Sequence, residues 1–399
     1  MLSLGIYKLH TTTQSYDWGS TRFFSDLRGE EQESAEPEAE LWVGVHPKAP
    51  SEVELGGVTT PLSDLIDARP VEVLGTKVVD RFGDRLPFLL KILVIEKPLS
   101  IQLHPDRVQA RHGSDRQARS SLPEDELDYV DPRHKPELAV ALTPFSALRG
   151  LRSAAEIVEN FGRAEVRSVM PLVEDLEANP HDDGIKRFVQ RIFSLGEEGV
   201  SAALKQASEA IRSNAGDPIF EWIGRLIDLH PEDAGCLAPL MMNLEVLEPG
   251  QAIFQPPGML HCYLEGAAVE VMADSDNVLR AGLTTKHRDL RELLKLLVIQ
   301  PFDTNPVEAH ERGVNLWTYY PPVEEFNLSR LQLLKGFVFT SSGGRSVELW
   351  VCTEGGGRMW TEDGPFSIDF LGGDALLVPA GVDSFSVEGE GCMYFAGVP

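Results

Sequence analysis

A short polar face and two distant turns hold the residues of this chain whose types and spacing suit them to chemistry. Ser100, Gln102 and His104 alternate with Ile101 and Leu103 shortly after the apolar run 86–95. Side chains alternate faces along a strand, so the three polar groups share one face while Ile101 and Leu103 point into a core. Glu137 heads the apolar segment 138–142, and Lys135 shares its face. His261 closes a turn, G-x(5)-P-x-G-x(2)-H, that opens at Gly250. Two imidazoles and two oxygen donors, from Gln102, His104, Glu137 and His261, suit a borderline ion such as zinc and leave room for water or substrate oxygens. By spacing alone, Asp106, His112 and His134 compete for the same role.

The elements that must position these groups read as follows. The runs 86–95 and 99–104 predict two strands, the first buried. Residues 40–45 predict a strand ended by the turn 46–51, and 62–74 a short helix. Residues 107–127 are polar and charged and read as a connection. Pro136 lacks a backbone donor, which places it at the start or edge of a strand. From 151 to 233 the apolar spacing turns helical: 154–161, 166–177, 184–195, 199–213 and 218–229 predict five helices, the last opened by Asp217 and Pro218. Strands resume at 240, a short helix is expected over 290–297, and short strands between glycine-rich turns run from 328 to the end. The expected division is a discontinuous catalytic domain, 1–150 and 234–300, a helical insertion, 151–233, and a C-terminal domain, 301–399.

Composition narrows the function. The chain has 399 residues, 36 Lys and Arg against 62 Asp and Glu, a formal net charge of −26. Nucleic acid is an unexpected partner, because a phosphate backbone requires a basic footprint. An anionic substrate would need a local cluster of cations. Cys236, Cys262, Cys352 and Cys392 are scattered with no C-x-x-C pair, which excludes zinc-finger and thioredoxin motifs. Neither a signal peptide nor a spanning segment is expected, and the reading is a cytoplasmic protein.

One internal echo sets the fold class. The segment 250–258 is repeated in form at 373–381, with glycines eight apart and Pro256 matched by Pro379. The first copy carries His261; the second has Ser384. The first copy's pattern resembles the second signature of cupin β-barrels. It implies a mainly β chain with two cupin-like jelly-roll barrels, the second lacking the metal-binding histidine, plus the helical insertion.

The resemblance extends to one family. Tyr16-Asp17-Trp18-Gly19, Glu40-Leu41-Trp42-Val43-Gly44, 98–106, His134-Lys135-Pro136-Glu137, 255–261 and 275–286, in this order, resemble the type I mannose-6-phosphate isomerases. The resemblance implies one zinc ion held by Gln102, His104, Glu137 and His261. It also implies interconversion of mannose 6-phosphate and fructose 6-phosphate through an enediol or enediolate, in a protein expected to be monomeric. Arg280 matches the family's active-site arginine and would stabilise the enediolate or grip the phosphate.

Proton transfer between C2 and C1 needs a base within reach. Glu270, a lone acid within 268–272, is one candidate, since burial raises a carboxyl pKa; Asp276 and Lys135 are the others. Ser100, Lys91 and Lys286 are candidates to hold the phosphate. Lys91 is conspicuous because an unpaired lysine inside an apolar run is costly. Trp18 reads as core or as a wall of the sugar site, and Asp274 adds negative charge nearby. Two other readings are an iron-dependent cupin oxygenase and a non-enzymatic sugar-phosphate-binding protein.

Overall fold

The strand Phe88–Ile95 is buried along its whole length and lies inside an antiparallel sheet. In this computed structural model, residues 4–299, 306–341, 343–362 and 366–399 are described. The long strand His261–Ala273 is the axis of the first sheet. Its later part lies between Phe88–Ile95 and Glu137–Ala141, with Glu270 opposite Lys91 on one side and Ala139 on the other. Its beginning pairs instead with Phe145–Leu151 and, at His261, with Gln102. The change of partners occurs at a bend: register shifts between Tyr263 and Glu265, and Gly266 takes φ +117°. A Cβ there would come 2.5 Å from the Pro144 carbonyl oxygen, so only glycine fits.

Two-residue alternation sorts the strand Phe88–Ile95. Phe88, Leu90, Ile92 and Val94 face a core that also contains Leu328, Leu349 and Leu377 of the second sheet. Leu93 and Ile95 face the other way, as does Leu89, which packs against Trp42 and Met272. Lys91 lies on that same interior face. The second sheet is built largely from Asn327–Leu333, Glu348–Thr361, Ala375–Val378 and Phe385–Gly397. The start of the chain is woven into it: Tyr7–His10 pairs with Ala375–Val378 and then with Glu52–Leu55.

The helical spacing yields Ala154–Arg163, Met170–Ala178, Asp182–Phe193, Glu197–Ile211 and Pro218–Leu229. Ser153 and Glu156 form a capping box at the first, and the Asp217 carboxylate accepts from Ile219 N–H at the last. This block packs against Ile101, Leu103, Leu148, Leu260, Cys262 and Leu279. Ile101 and Leu103 therefore face helices, which turns Gln102 to the opposite side of its strand.

The described residues are thus mainly antiparallel β with a helical block, as expected. Two local readings change. Residues 107–127 are not simply a connection: Arg107–Gln117 is a helix, started by an Asp106–Gln109 capping box. It buries only a thin stripe, where Gly113 lies against the Tyr129 ring, so its polarity hid its period. The helix expected over 62–74 is two, Leu62–Ala68 and Pro70–Leu74, broken at Arg69 because a residue before proline avoids the helical region. Gly250 and Gly373, which open the two echoed turns, have matching φ of +87° and +86°. The expected boundary at 300/301 lies outside the described residues. No helix among the described residues is long and apolar enough to cross a membrane.

Candidate metal centre and substrate cleft

His104, Glu137 and His261 come together from three segments, all buried, with one potential ligand atom from each within 4.8 Å of the others. His104 Nε2 lies 3.3 Å from Glu137 Oε1, and His261 Nε2 lies 3.5 Å from Glu137 Oε2. Backbone carbonyls set both ring orientations. Asn277 O accepts from His104 Nδ1 at 2.7 Å, and Met259 O accepts from His261 Nδ1 at 3.0 Å. A carbonyl only accepts, so each Nδ1 carries the proton and each Nε2 turns a lone pair inward. Burial, partly offset by Glu137, brings the His104 pKa down to about 4, which keeps that ring neutral.

The arrangement fits a cation. His104 Nε2 and Glu137 Oε2 are buried and make no hydrogen bond. A tetrahedral ion bonded at roughly 2.0–2.2 Å spaces its ligands about 3.3–3.6 Å apart, the separations seen here. Burial pushes the Glu137 carboxyl up, but Lys135 and His104 overcome it and hold the group well below the usual range. Lys135 Nζ lies 3.0 Å from Glu137 Oε1. Gln102 completes the set, its amide 3.5 Å from His261 Nε2 and its Oε1 accepting from Ser100 Oγ at 3.2 Å. With the amide turned over, its oxygen faces His261, and Ser100 Oγ accepts from the amide nitrogen.

The competing donors are engaged elsewhere. Asp106 caps its helix, His134 pairs with Glu325 at 2.8 Å, and His112 is exposed on the helix Arg107–Gln117.

Beside the ligands runs a buried charge row. Lys91 Nζ lies 3.0 Å from Glu40 Oε2 and 4.8 Å from the Trp42 ring centroid. Burial pulls the Lys91 pKa down, yet Glu40 and Glu270 hold it well above the ordinary lysine value. Glu270, its cross-strand neighbour, is pushed up to about 8, by burial first and then by Glu137. Asp276 differs. Although burial raises it, His46 at 3.1 Å and Lys48 at 3.0 Å hold it far below the usual range. Asp274 is answered by Arg133, 3.7 Å away.

Arg280 stands opposite Gln102 across paired strands. It lines a cleft of about 680 Å³ with Lys48, Asp276, Lys286, Asp125 and Glu126. Desolvation, then Arg280 and Lys48, lower the Lys286 pKa, as expected where three cations share a cleft. Trp18 is half-buried against the interior cluster that includes Leu93 and Ile95, and stacks on Tyr16 with centroids 5.4 Å apart.

Sequence reasoning missed several residues here. Lys48 lies in an unremarkable polar context and is recruited only by folding, and Tyr16, though part of the motif 16–19, is not singled out by the sequence as a site residue. Asn277 is fully buried: its Oδ1 accepts from Val130 and Asp131 N–H, and its Nδ2 donates to the Asp131 and Arg133 carbonyls. It joins the segment leading to Lys135 and Glu137 to the carbonyl that orients His104. Arg149, 1% exposed, faces His261 across the sheet and donates to Glu245 (2.6 Å), Phe254 O (2.7 Å) and Gln255 (3.2 Å). Gln255 in turn lies opposite Glu137. An arginine followed by glycine in a strand gave no signal of this bridge.

Comparison with known proteins agrees with this geometry. The family model for the type I phosphomannose isomerase catalytic domain matches residues 6–154. Mannose-6-phosphate isomerase of Shigella flexneri is 35% identical over 96% of this chain and 97% of its own length. The Escherichia coli enzyme is 34% identical over the same shares. A variant of phosphomannose isomerase from Salmonella typhimurium superposes with TM-score 0.91 at 31% identity, covering 98% of this chain and 99% of that one. A mannose 6-phosphate isomerase solved with zinc and yttrium bound superposes with TM-score 0.90, also at 31% identity, over the same shares. With near-complete coverage on both sides, the chain belongs to the type I phosphomannose isomerase family.

Proposed function

We propose that this protein interconverts mannose 6-phosphate and fructose 6-phosphate at the centre formed by Gln102, His104, Glu137 and His261. The supporting observation is the convergence of two inward-facing imidazole nitrogens on a buried carboxylate, with Arg280 beside them. These four residues would hold one zinc ion. When bound, zinc supplies Lewis acidity toward the substrate's two reacting oxygens.

The protein's own groups do the rest. The Glu270 carboxylate takes the C2 proton, which leaves an enediolate with its charge on the C1 oxygen. The C2 hydroxyl passes its proton to that oxygen, and Glu270 returns the carbon-bound proton to C1 as the C2 oxygen becomes the ketone. A pKa pushed up to about 8 suits this exchange. Asp276 is a poorer base because hydrogen bonds from His46 and Lys48 hold it ionised. Lys135 is occupied by Glu137. The fixed charge of Arg280 stabilises the enediolate oxygens. Lys286 takes the phosphate at the cleft, with Lys48 as a second cation. Lys91 tunes Glu270, and Ser100 orients Gln102. Tyr16 and Trp18 wall the sugar.

We read the chain as the three-part division 1–150 with 234–300, 151–233 and 301–399, as a cytoplasmic monomer, and as having no nucleic-acid partner. No observation favours an oxygenase or a binding-only protein. The deciding experiment is conversion of mannose 6-phosphate by purified protein before chelation, after chelation and after zinc is restored. Activity lost and regained supports the reading; no conversion by zinc-loaded protein overturns it.

A further inference from the structure

Past Arg280 the chain loses its sheet. The strand Leu279–Gly282 ends, and the segment to Leu290 is irregular. Leu283, the first residue of that segment, has φ +55°, a left-handed conformation that a bulky apolar residue adopts only when its surroundings impose it. The imposing group is Asp233, at the end of the helical block. Its Oδ2 accepts from Leu283 N–H at 2.8 Å, and its Oδ1 accepts from Gly235 N–H at 2.7 Å. Arg288 Nη1 lies 3.8 Å from the same Oδ2 and donates to Ala281 O at 3.3 Å, closing the turn from its far side. The seat is tight: a Cβ on Gly282 would come 2.8 Å from Asp233 Oδ1, and one on Gly235 3.0 Å from Leu283 N. The Leu283 side chain is anchored in the helical core.

Arg280 needs no such device, because strand pairing opposite Gln102 fixes it. Lys286 does. After the turn, its N–H donates to Thr284 Oγ1 at 3.1 Å within the same short segment. The direction in which that segment leaves the sheet decides whether Lys286 reaches the cleft. We infer that Asp233 is a positioning residue for the substrate's phosphate: its carboxylate sets the Leu283 turn and thereby presents Lys286 to the cleft. This rests on the proposal that Lys286 grips the phosphate.

The test compares Asp233→Asn, Asp233→Ala and Lys286→Ala in the zinc-loaded full chain. Steady-state kinetics would be read with mannose 6-phosphate, with inorganic phosphate as competitive inhibitor. Asp233→Ala is expected to raise KM and the phosphate inhibition constant about tenfold, with kcat within about threefold and zinc content unchanged. Asp233→Asn, which keeps one acceptor oxygen and the side-chain shape, should fall between and serves if the alanine variant does not fold. A lowered Tm with KM and phosphate inhibition at wild-type values would mean a purely structural role and overturn the inference. If Lys286→Ala raises KM while both Asp233 variants do not, the positioning role fails and the phosphate reading stands. If Lys286→Ala changes neither constant, the phosphate reading fails and this inference with it.

Discussion

Gln102 and Arg280 face each other directly across an antiparallel pair, and His261 stands on the other side of Gln102. Residues paired across strands project from the same face. One row of the sheet therefore presents His261 and Gln102, the proposed metal ligands, and the fixed charge of Arg280 side by side. The sheet itself sets the distance between the proposed metal centre and the charge proposed to stabilise the enediolate.

This row separates two kinds of loss. His261→Ala removes an inward lone pair, so zinc content and turnover should disappear together, with kcat down at least about 10³-fold. Arg280→Ala should retain zinc and lose about 10²–10³ in kcat, as expected for removing charge stabilisation. Elemental analysis beside steady-state rates checks both; full turnover by either variant would refute its assigned role.

Glu270→Gln should lower kcat by about 10²–10⁴-fold while keeping zinc. It also carries a stability signature in zinc-free protein. Folded Glu270 holds its proton up to about pH 8, whereas its ordinary value is 4.5. Between those values the folded state binds more protons than the unfolded one, so this group's contribution to stability falls as pH rises. Glutamine cannot ionise. The variant's Tm advantage over wild type should therefore grow from nothing near about pH 4 to its full size above about pH 8. Thermal melts across that range decide it; a constant difference would show that Glu270 is not held protonated.

Lys91→Met leaves Glu40 and Glu270 without their shared cation. Breaking a buried pair on one side costs about 3–5 kcal/mol. The Glu270 pKa should rise further, moving the acid limb of the kcat profile up by about one unit. A pH–rate profile checks this, and an unmoved limb would separate Lys91 from the base.

Arg149→Met should leave the half-buried Glu245 unpaired and cut the link from the His261 strand to Gln255 opposite Glu137. Expected are a stability loss of about 3–5 kcal/mol and zinc affinity weakened about tenfold or more. Denaturant melts and competition with a chelating dye measure the two; wild-type zinc affinity would confine Arg149 to folding.

By itself the sequence determined the elements and the ligand candidates. Alternation placed Ser100, Gln102 and His104 opposite Ile101 and Leu103, and period 3.6 marked the five helices between 154 and 229, because both patterns are local consequences of which face must be buried. The spacing of Lys135 and Glu137 likewise put them on one face. Spacing left the competing donors open and the family resemblance chose among them; the tertiary structure supplies the physical reason for that choice. Asp106 becomes a helix cap, His134 pairs with Glu325, and Asp276 is claimed by His46 and Lys48, each through a partner remote in sequence or a hydrogen bond set by the fold. The charge of Lys91 is explained by Glu40, 51 positions away, and by its cross-strand neighbour Glu270. Arg149 and Asp233 gave no sequence signal, and the motif holding Asn277 gave no hint of its role, because their work lies in joining segments that only the folded chain brings together. Local pattern reports what a residue must bury; it carries no record of which distant group will be waiting there.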